Sequence, residues 1–423
     1  MLEELKFKNF LSFRDEVTLS FEATKDDMGE GTHCVKMPDG KTLLRCALIY
    51  GPNASGKTNL LDAIAFLSDF LFTKPADMEE STGVIPFRFD VATPMQPTEF
   101  SLRFYVGDMR YWYELQLKSD CVLEEKLSYY KSVQPTMLFH RTMENGQSIV
   151  RLNSSAVKVS AAAQEELQLK CLKNMSFFAA RKQVNMTMPL IDEASDWLRK
   201  GVMDLISPDT RLFNYATRQM EKNSDVKAHL LQFVHGADFN IVGFETKQEQ
   251  HDMPEALMNF VLQEKELSDE DRRRLSTRLS TDFQHTVKNE RGVEVYSLPE
   301  QLQSRGTMRT LGLETAIYTA EHRDAVLPID EIESSIHPEL IEHILHQFFK
   351  TSGRSQLVIT THDDGLLSTM DDLFRKDMIW FTEKGEDGSS DLYSLVEFNG
   401  LNKITSFQRS YRSGRFGATP NIE

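Results

Sequence analysis

The 423-residue sequence predicts an α/β fold with a mixed central sheet, an antiparallel β lobe and a mainly helical insertion. Three observations predict it. An apolar stretch, residues 42–50, runs into the glycine-rich residues 51–58 and then a helix carrying Leu60, Leu61, Ile64, Ala65, Leu67 and Leu71. Residues 97–152 alternate apolar and polar side chains around tight turns. The last third returns to short apolar strands, 326–329 and 356–360, with a helix after Pro338 between them.

Taken in order, Leu5, Phe7, Phe10, Phe13, Val17, Leu19 and Phe21 follow a loose period of two, predicting two strands joined near Leu11 and Ser12. A polar stretch, 24–40, separates them from the single strand expected over 42–50. Phe100, Leu102, Phe104 and Val106 alternate, Gly107-Asp108 turns, and Tyr111, Tyr113, Leu115 and Leu117 alternate back, as in a meander. From 157 to 280 the signal turns helical. Ile191, Ala194, Leu198, Val202 and Leu205 recur at helical spacing, as do Val226, Leu230 and Val234 before Gly236. Ser268 with Asp271 resembles a capping box. Residues 283–296 suggest a hairpin turning at Glu290-Arg291-Gly292, and a further strand pair is expected, formed by 378–381 and 391–395. The resulting division is an N-terminal half of the core domain (1–152), a helical insertion (153–280) and a C-terminal half (281–423).

Composition sets bounds on function. Hydrophobic residues make up 40 % and charged residues 26 %, ordinary for a soluble globular protein. No signal peptide or membrane-spanning apolar stretch is visible, and Cys34, Cys46, Cys121 and Cys171 are scattered without a C-x-x-C pair. A cytoplasmic protein with reduced thiols is expected. The formal net charge of −16 argues against generic coating of nucleic acid, although a local basic groove could override it.

Gly51-Pro52-Asn53-Ala54-Ser55-Gly56-Lys57-Thr58 matches G-x-x-x-x-G-K-[ST] at every fixed position, with a strand before it and, from Asn59 on, a helix after it. Glycines let backbone N–H groups face phosphates, the helix start and Lys57 neutralise them, and the Thr58 hydroxyl is a Mg²⁺ ligand. The strand at 326–329 ends in Asp330 and Glu331. At the carboxyl edge of a parallel sheet, Asp330 is assigned to the metal and Glu331 to the attacking water. On its own such a string is as often a plain strand end with solvated charges. A second buried strand, 357–360, delivers His362. Just upstream of the acidic pair, Ser304, Gly306 and Thr307 open a helix, an arrangement that can bind an anion or simply cap the helix.

In this order (phosphate loop, insertion, S-x-G-T, acidic pair, histidine) the chain resembles an ABC-type ATPase head of the SMC, RecF and OLD group. Asn9-Phe10-Leu11-Ser12-Phe13 near the start, and Gly414-Arg415-Phe416-Gly417-Ala418 with Pro420 near the end, are similar to RloA/AbiL-type ATPases and to the related AriA-type ATPases of PARIS defence systems. The resemblance implies ATP and Mg²⁺ as cofactors. It implies catalytic roles for Lys57, Glu331 and His362, with His362 on the γ-phosphate. Ser304, Gly306 and Thr307 form a signature that serves the ATP of a second copy, and Ser334, Ser335, His337 and Pro338 the loop that touches that copy. A homodimer or larger even-numbered oligomer follows, with slow hydrolysis. Further partners are a separately encoded effector (a Toprim-type nuclease) and a phage trigger protein. Two departures stand out: Gln96 is the only candidate for a Q-loop glutamine, and the insertion is too short for a long SMC coiled coil.

Two rival functions remain. A RecF-like DNA-repair ATPase is opposed by the net charge. A transporter subunit is opposed by the unclear Q-loop and the odd signature. Arg272, Arg273 and Arg274 lie among Glu264, Glu266, Asp269, Glu270 and Asp271 and read as a solvated helix face. Lys403, Arg409, Arg412 and Arg415, with Tyr411 and Phe416, fit a partner-protein dock somewhat better than a phosphate contact. Asp363 and Asp364 read as caps, and Tyr111, Trp112 and Tyr113 as sheet residues.

Overall fold

The computed structural model describes residues 1–25, 28–237, 239–250 and 277–420. Ser268, Asp271 and the Arg272–Arg274 triple therefore lie outside the described residues. The chain forms two compact units. The larger comprises Met1–Pro208, Ala320–Glu333 and Leu345–Glu423, and the smaller Asp209–Thr319 and Ser334–Ile344.

In chain order the elements begin with β1 (Leu2–Lys8), β2 (Val17–Ser20), β3 (Cys34–Lys36), β4 (Thr42–Leu44), β5 (Cys46–Tyr50) and α1 (Lys57–Phe70). They continue with β6 (Thr98–Val106), β7 (Met109–Leu117), β8 (Val122–Tyr130), β9 (Pro135–Glu144) and β10 (Gln147–Leu152). Helices α2 (Ala161–Lys170), α3 (Phe177–Arg181), α4 (Pro189–Lys200), α5 (Leu212–Lys222) and α6 (Ser224–Gly236) follow. Then come β11 (Ile241–Gln250), β12 (Thr277–Asn289), β13 (Gly292–Pro299), α7 (Arg305–Arg323), β14 (Val326–Ile329) and α8 (Pro338–Lys350). The last elements are β15 (Gln356–Thr360), β16 (Ile379–Lys384), β17 (Ser390–Ser394) and α9 (Phe407–Arg412).

The larger unit holds the antiparallel sheet β10-β9-β8-β7-β6-β1-β2 and the mixed sheet β14-β15-β5-β16-β17. In the mixed sheet only β17 runs antiparallel. All five residues of β5 and of β15 are buried, as expected for strands covered on both faces. β6 and β7 alternate buried and partly buried positions, so one face is turned to the core, and Gly107 (φ +55°) makes their two-residue turn. Tyr111 and Tyr113 point inward. Trp112 lies on the opposite face, with the Arg103 guanidinium 4.9 Å and the Lys126 ammonium 5.3 Å from its ring centroid. Within this sheet, fully buried Arg141 of β9 donates to Glu125 at 3.1 Å and to Ser148 at 2.6 Å, and Glu125 also accepts from Tyr113 and the N–H of Phe177.

Three local readings are corrected. The stretch 42–50 is two strands, because Arg45 breaks it: its buried guanidinium turns away to the carbonyls of Thr32, Phe348 and Ser355. Helix α4 ends at Lys200, before Val202 and Leu205. Residues 201–206 instead run beside β14, with Met203 N–H donating to Val326 O and Ile206 N–H to Pro328 O. Residues 241–250, within the stretch read as helical, are a strand of the smaller unit's sheet β11-β12-β13, where Phe244 packs edge-on to Phe283. β12 and β13 pair across the expected turn at Glu290 and Arg291.

All four cysteines are unpaired. No helix among the described residues is long and apolar enough to cross a membrane.

Candidate functional site

β5 delivers the chain to Gly51, where backbone packing leaves no room for a side chain: a Cβ would stand 2.5 Å from the Thr382 carbonyl oxygen. Gly56 adopts φ +112°, a region that favours glycine, and its missing Cβ would meet Ser390 Oγ at 2.6 Å. Ser55 Oγ lies 2.6 Å from Thr382 Oγ1, tying the loop to β16. Residues 51–58 thus take a set shape between strand and helix. The first intrahelical bond is Leu60 N–H to Gly56 O, so the N–H groups that open α1 have no acceptor within the helix. Asn53 and Ala54 stand exposed at the tip, and Asn59 donates to Ser12 Oγ at 2.8 Å.

Lys57 is buried, and its ammonium donates to Gly51 O at 2.8 Å and Pro52 O at 3.1 Å. Burial lowers its pKa to about 8, against the opposing pull of Asp330, Glu331 and Glu333. Thr58 donates to Asp330 Oδ2 at 2.9 Å. His362 stands at the end of β15, with Nδ1 3.4 Å from the Lys57 ammonium and Nε2 3.5 Å from Glu331 Oε1. Glu331 holds a left-handed backbone (φ +47°). Parallel pairing of β14 with β15 and of β15 with β5 brings these three strand ends side by side.

The same residues line one open cavity of about 710 Å³: Asn53, Ala54, Gly56, Lys57, Thr58 and Asn59 with Glu331 and His362. Other lining residues were given no site role by the sequence. Arg88, Phe89 and Lys384 come from irregular or strand-end positions, and Leu11 and Ser12 belong to the N-F-L-S-F segment. Gln96 does not line this cavity; it borders a neighbouring one that also contains Lys118 and Asp120.

Asp330 (buried) and Thr58 present a carboxylate and a hydroxyl 2.9 Å apart, hard oxygen donors of the kind Mg²⁺ takes, so the donor set fits the ion. The phosphate loop fits a polyphosphate for the reasons of shape and charge above.

Ser304, Gly306 and Thr307 lie in the smaller unit. Ser304 Oγ accepts from Thr307 N–H at 3.0 Å, capping α7, and a Cβ on Gly306 would come within 2.9 Å of Ser335 O. His337 likewise caps α8 through Glu339 N–H. Asp363 accepts from Gly365 N–H as a cap, and Asp364 is held by Arg412, whose ion pair keeps that carboxyl below its ordinary pKa.

The family described as "AAA domain, putative AbiEii toxin, Type IV TA system" matches residues 46–144 and 211–368, more than half of the chain. The chain belongs to this AAA-domain family. Its matched segments take in the phosphate loop, Ser304 to Thr307, Asp330, Glu331 and His362. Among solved structures, this AAA-domain protein is similar to the SMC head domain from Thermotoga maritima, with 15 % identity, 93 % of this chain and 98 % of that one covered, and a TM-score of 0.41. It is similar to an Smc head bound to the C-winged helix domain of ScpA (14 %, 97 % and 99 %, TM-score 0.42). A Pyrococcus furiosus Smc head with an extended coiled coil, bound to the C-terminal domain of ScpA, gives 13 %, 98 % and 98 %, and a TM-score of 0.41. No curated protein matches the sequence.

Proposed function

We propose that this protein binds Mg²⁺–ATP in the cavity of the phosphate loop and hydrolyses it slowly, as a switch. The observation that carries this reading is the gathering of Lys57, Thr58, Glu331 and His362 around one cavity, with Asp330 hydrogen-bonded to Thr58.

Lys57 and the N–H groups of the loop bind the phosphates; Thr58 and Asp330 hold the metal ion. Mg²⁺ supplies charge neutralisation across the transferred phosphoryl group. Glu331 orients the attacking water, and His362, placed between Lys57 and Glu331, contacts the terminal phosphate. Ser304, Gly306 and Thr307 serve the ATP of a second copy, giving a homodimer or an even-numbered assembly of dimers.

The biological setting we propose is a bacterial anti-phage system of the RloA/AbiL or AriA kind. There the ATPase is sensor and scaffold for a separately encoded effector, a Toprim-type nuclease, with a phage protein as trigger. The family description, which names a toxin–antitoxin system, supports a defence role. The cytoplasm is the compartment this role requires.

Nucleotide binding, hydrolysis and mass in solution test the core of the reading. Lys57→Ala should bind no ATP, and Glu331→Gln should bind ATP, fail to hydrolyse it and accumulate as a dimer. Undiminished hydrolysis by Glu331→Gln would remove Glu331 as the residue that orients water. A Glu331→Gln protein that stays monomeric with ATP bound would remove the shared site.

A further inference from the structure

The end of β14 is laced to the end of β15 by a run of hydrogen bonds. Glu331 N–H donates to Thr360 Oγ1 at 2.9 Å, and Ile332 N–H to Thr360 O at 3.2 Å. Two residues past Glu331, the Glu333 carboxylate completes the run. Its Oε1 accepts the backbone N–H of His362 at 2.6 Å, and its Oε2 accepts the Thr361 hydroxyl at 2.8 Å. No motif read from the sequence includes Glu333.

This clamp acts where the backbone needs restraint. Glu331 sits at φ +47°, a conformation that costs a non-glycine residue about 1–3 kcal/mol and persists only when its surroundings hold it. His362 lies just beyond β15, where no strand ladder holds its N–H. A charged carboxylate accepting two hydrogen bonds from adjacent residues fixes both the height and the direction of that peptide. The outcome is the observed facing of His362 Nε2 and Glu331 Oε1, 3.5 Å apart, with the Lys57 ammonium 3.4 Å from the other ring nitrogen.

We propose that Glu333 is a positioning residue for hydrolysis: it holds the peptide of His362 so that His362 and Glu331 face each other across the cavity. The proposal rests on the ATPase reading above. It makes Glu333 a determinant of the chemical step, while nucleotide affinity stays with the phosphate loop.

The test uses the full chain as wild type, Glu333→Ala, Glu333→Gln, Thr361→Val and Lys57→Ala. It measures affinity for fluorescent Mg²⁺–ATP, single-turnover hydrolysis and the thermal midpoint. Glu333→Ala should hydrolyse roughly tenfold or more slowly with affinity within about threefold of wild type, the pattern of an interaction lost only in the transition state. Glu333→Gln, which keeps an oxygen for the His362 N–H, should recover most of the rate. A wild-type rate in Glu333→Ala, or an affinity that falls in step with the rate, overturns the positioning role. Should Glu333→Ala not fold, Thr361→Val decides: a slower rate at unchanged affinity supports the clamp, and an unchanged rate overturns it. Wild type binding ATP no better than Lys57→Ala sinks the ATPase reading, and the positioning role with it.

Discussion

Thr360 donates its hydroxyl to Asp330 Oδ1 at 2.5 Å and accepts the N–H of Glu331 at 2.9 Å. One buried threonine therefore orients both members of the acidic pair. Thr360→Val keeps the shape but leaves a buried acceptor and a donor unpaired, at a cost of about 1–3 kcal/mol. Mg²⁺-dependent hydrolysis should drop roughly tenfold or more, a change of about 1.4 kcal/mol in barrier per tenfold. Thr360→Ser should largely retain the rate. Equal rates for the valine and serine variants would deny the hydroxyl this role.

Lys57 sets a pH dependence for binding. With its pKa lowered to about 8, the free protein carries a charged ammonium below that pH and loses it above. Phosphate favours the charged form, so ATP affinity should be flat up to pH 7 and fall toward pH 9. The fall should approach about tenfold per pH unit once well past the pKa. Lys57→Arg, charged throughout, should show no such slope. Titration calorimetry across pH 6.5–9.5 checks both curves.

Phe89 is 71 % exposed on the cavity wall, with the Lys384 ammonium 5.7 Å from its ring centroid. An exposed aromatic beside a phosphate loop is placed to stack on a nucleobase, a contact of about 1–3 kcal/mol. Phe89→Ala should weaken ATP binding about tenfold while leaving inorganic tripolyphosphate unaffected. Parallel losses for both ligands would show that Phe89 shapes the loop and does not read the base.

Arg141 and Glu125 are both fully buried and paired at 3.1 Å. Arg141→Met strands the carboxylate without its countercharge, which should cost about 3–5 kcal/mol in urea denaturation. The double variant Arg141→Met/Glu125→Gln should be more stable than Arg141→Met alone, since no buried charge is then left unpaired. A double variant as unstable as the single one would place the loss in the other contacts of Arg141, to Ser148 and the carbonyls of Leu172 and Met175.

Much of the candidate site was legible in the sequence because its residues fall in local patterns. A phosphate loop is contiguous, since strand, glycines and helix start must adjoin in sequence to point N–H groups at one place. Asp330 and Glu331 follow directly from an apolar strand, and His362 from another. Thr360 and Glu333 were not legible: a threonine in a buried strand and a glutamate after an acidic pair are ordinary residues until the parallel pairing of β14 with β15 sets them opposite their partners. The breaks at Arg45 and Gly201 were hidden for a related reason. Local periodicity continued through them, and the tertiary demand for a buried guanidinium and for an extended ribbon beside β14 prevailed.

By itself, then, the sequence determined the α/β class, the phosphate loop, the order of the acidic pair and the histidine, and the meander of β6 and β7. Each of these is written in neighbouring residues through turn chemistry, periodicity or a fixed spacing. Only the tertiary structure decided that Thr58 meets Asp330, that His362 stands between Lys57 and Glu331, and that Phe89 and Lys384 share their cavity. Lys57 and His362, for one, lie 305 positions apart, and strand order and register, which no local pattern encodes, bring such residues together.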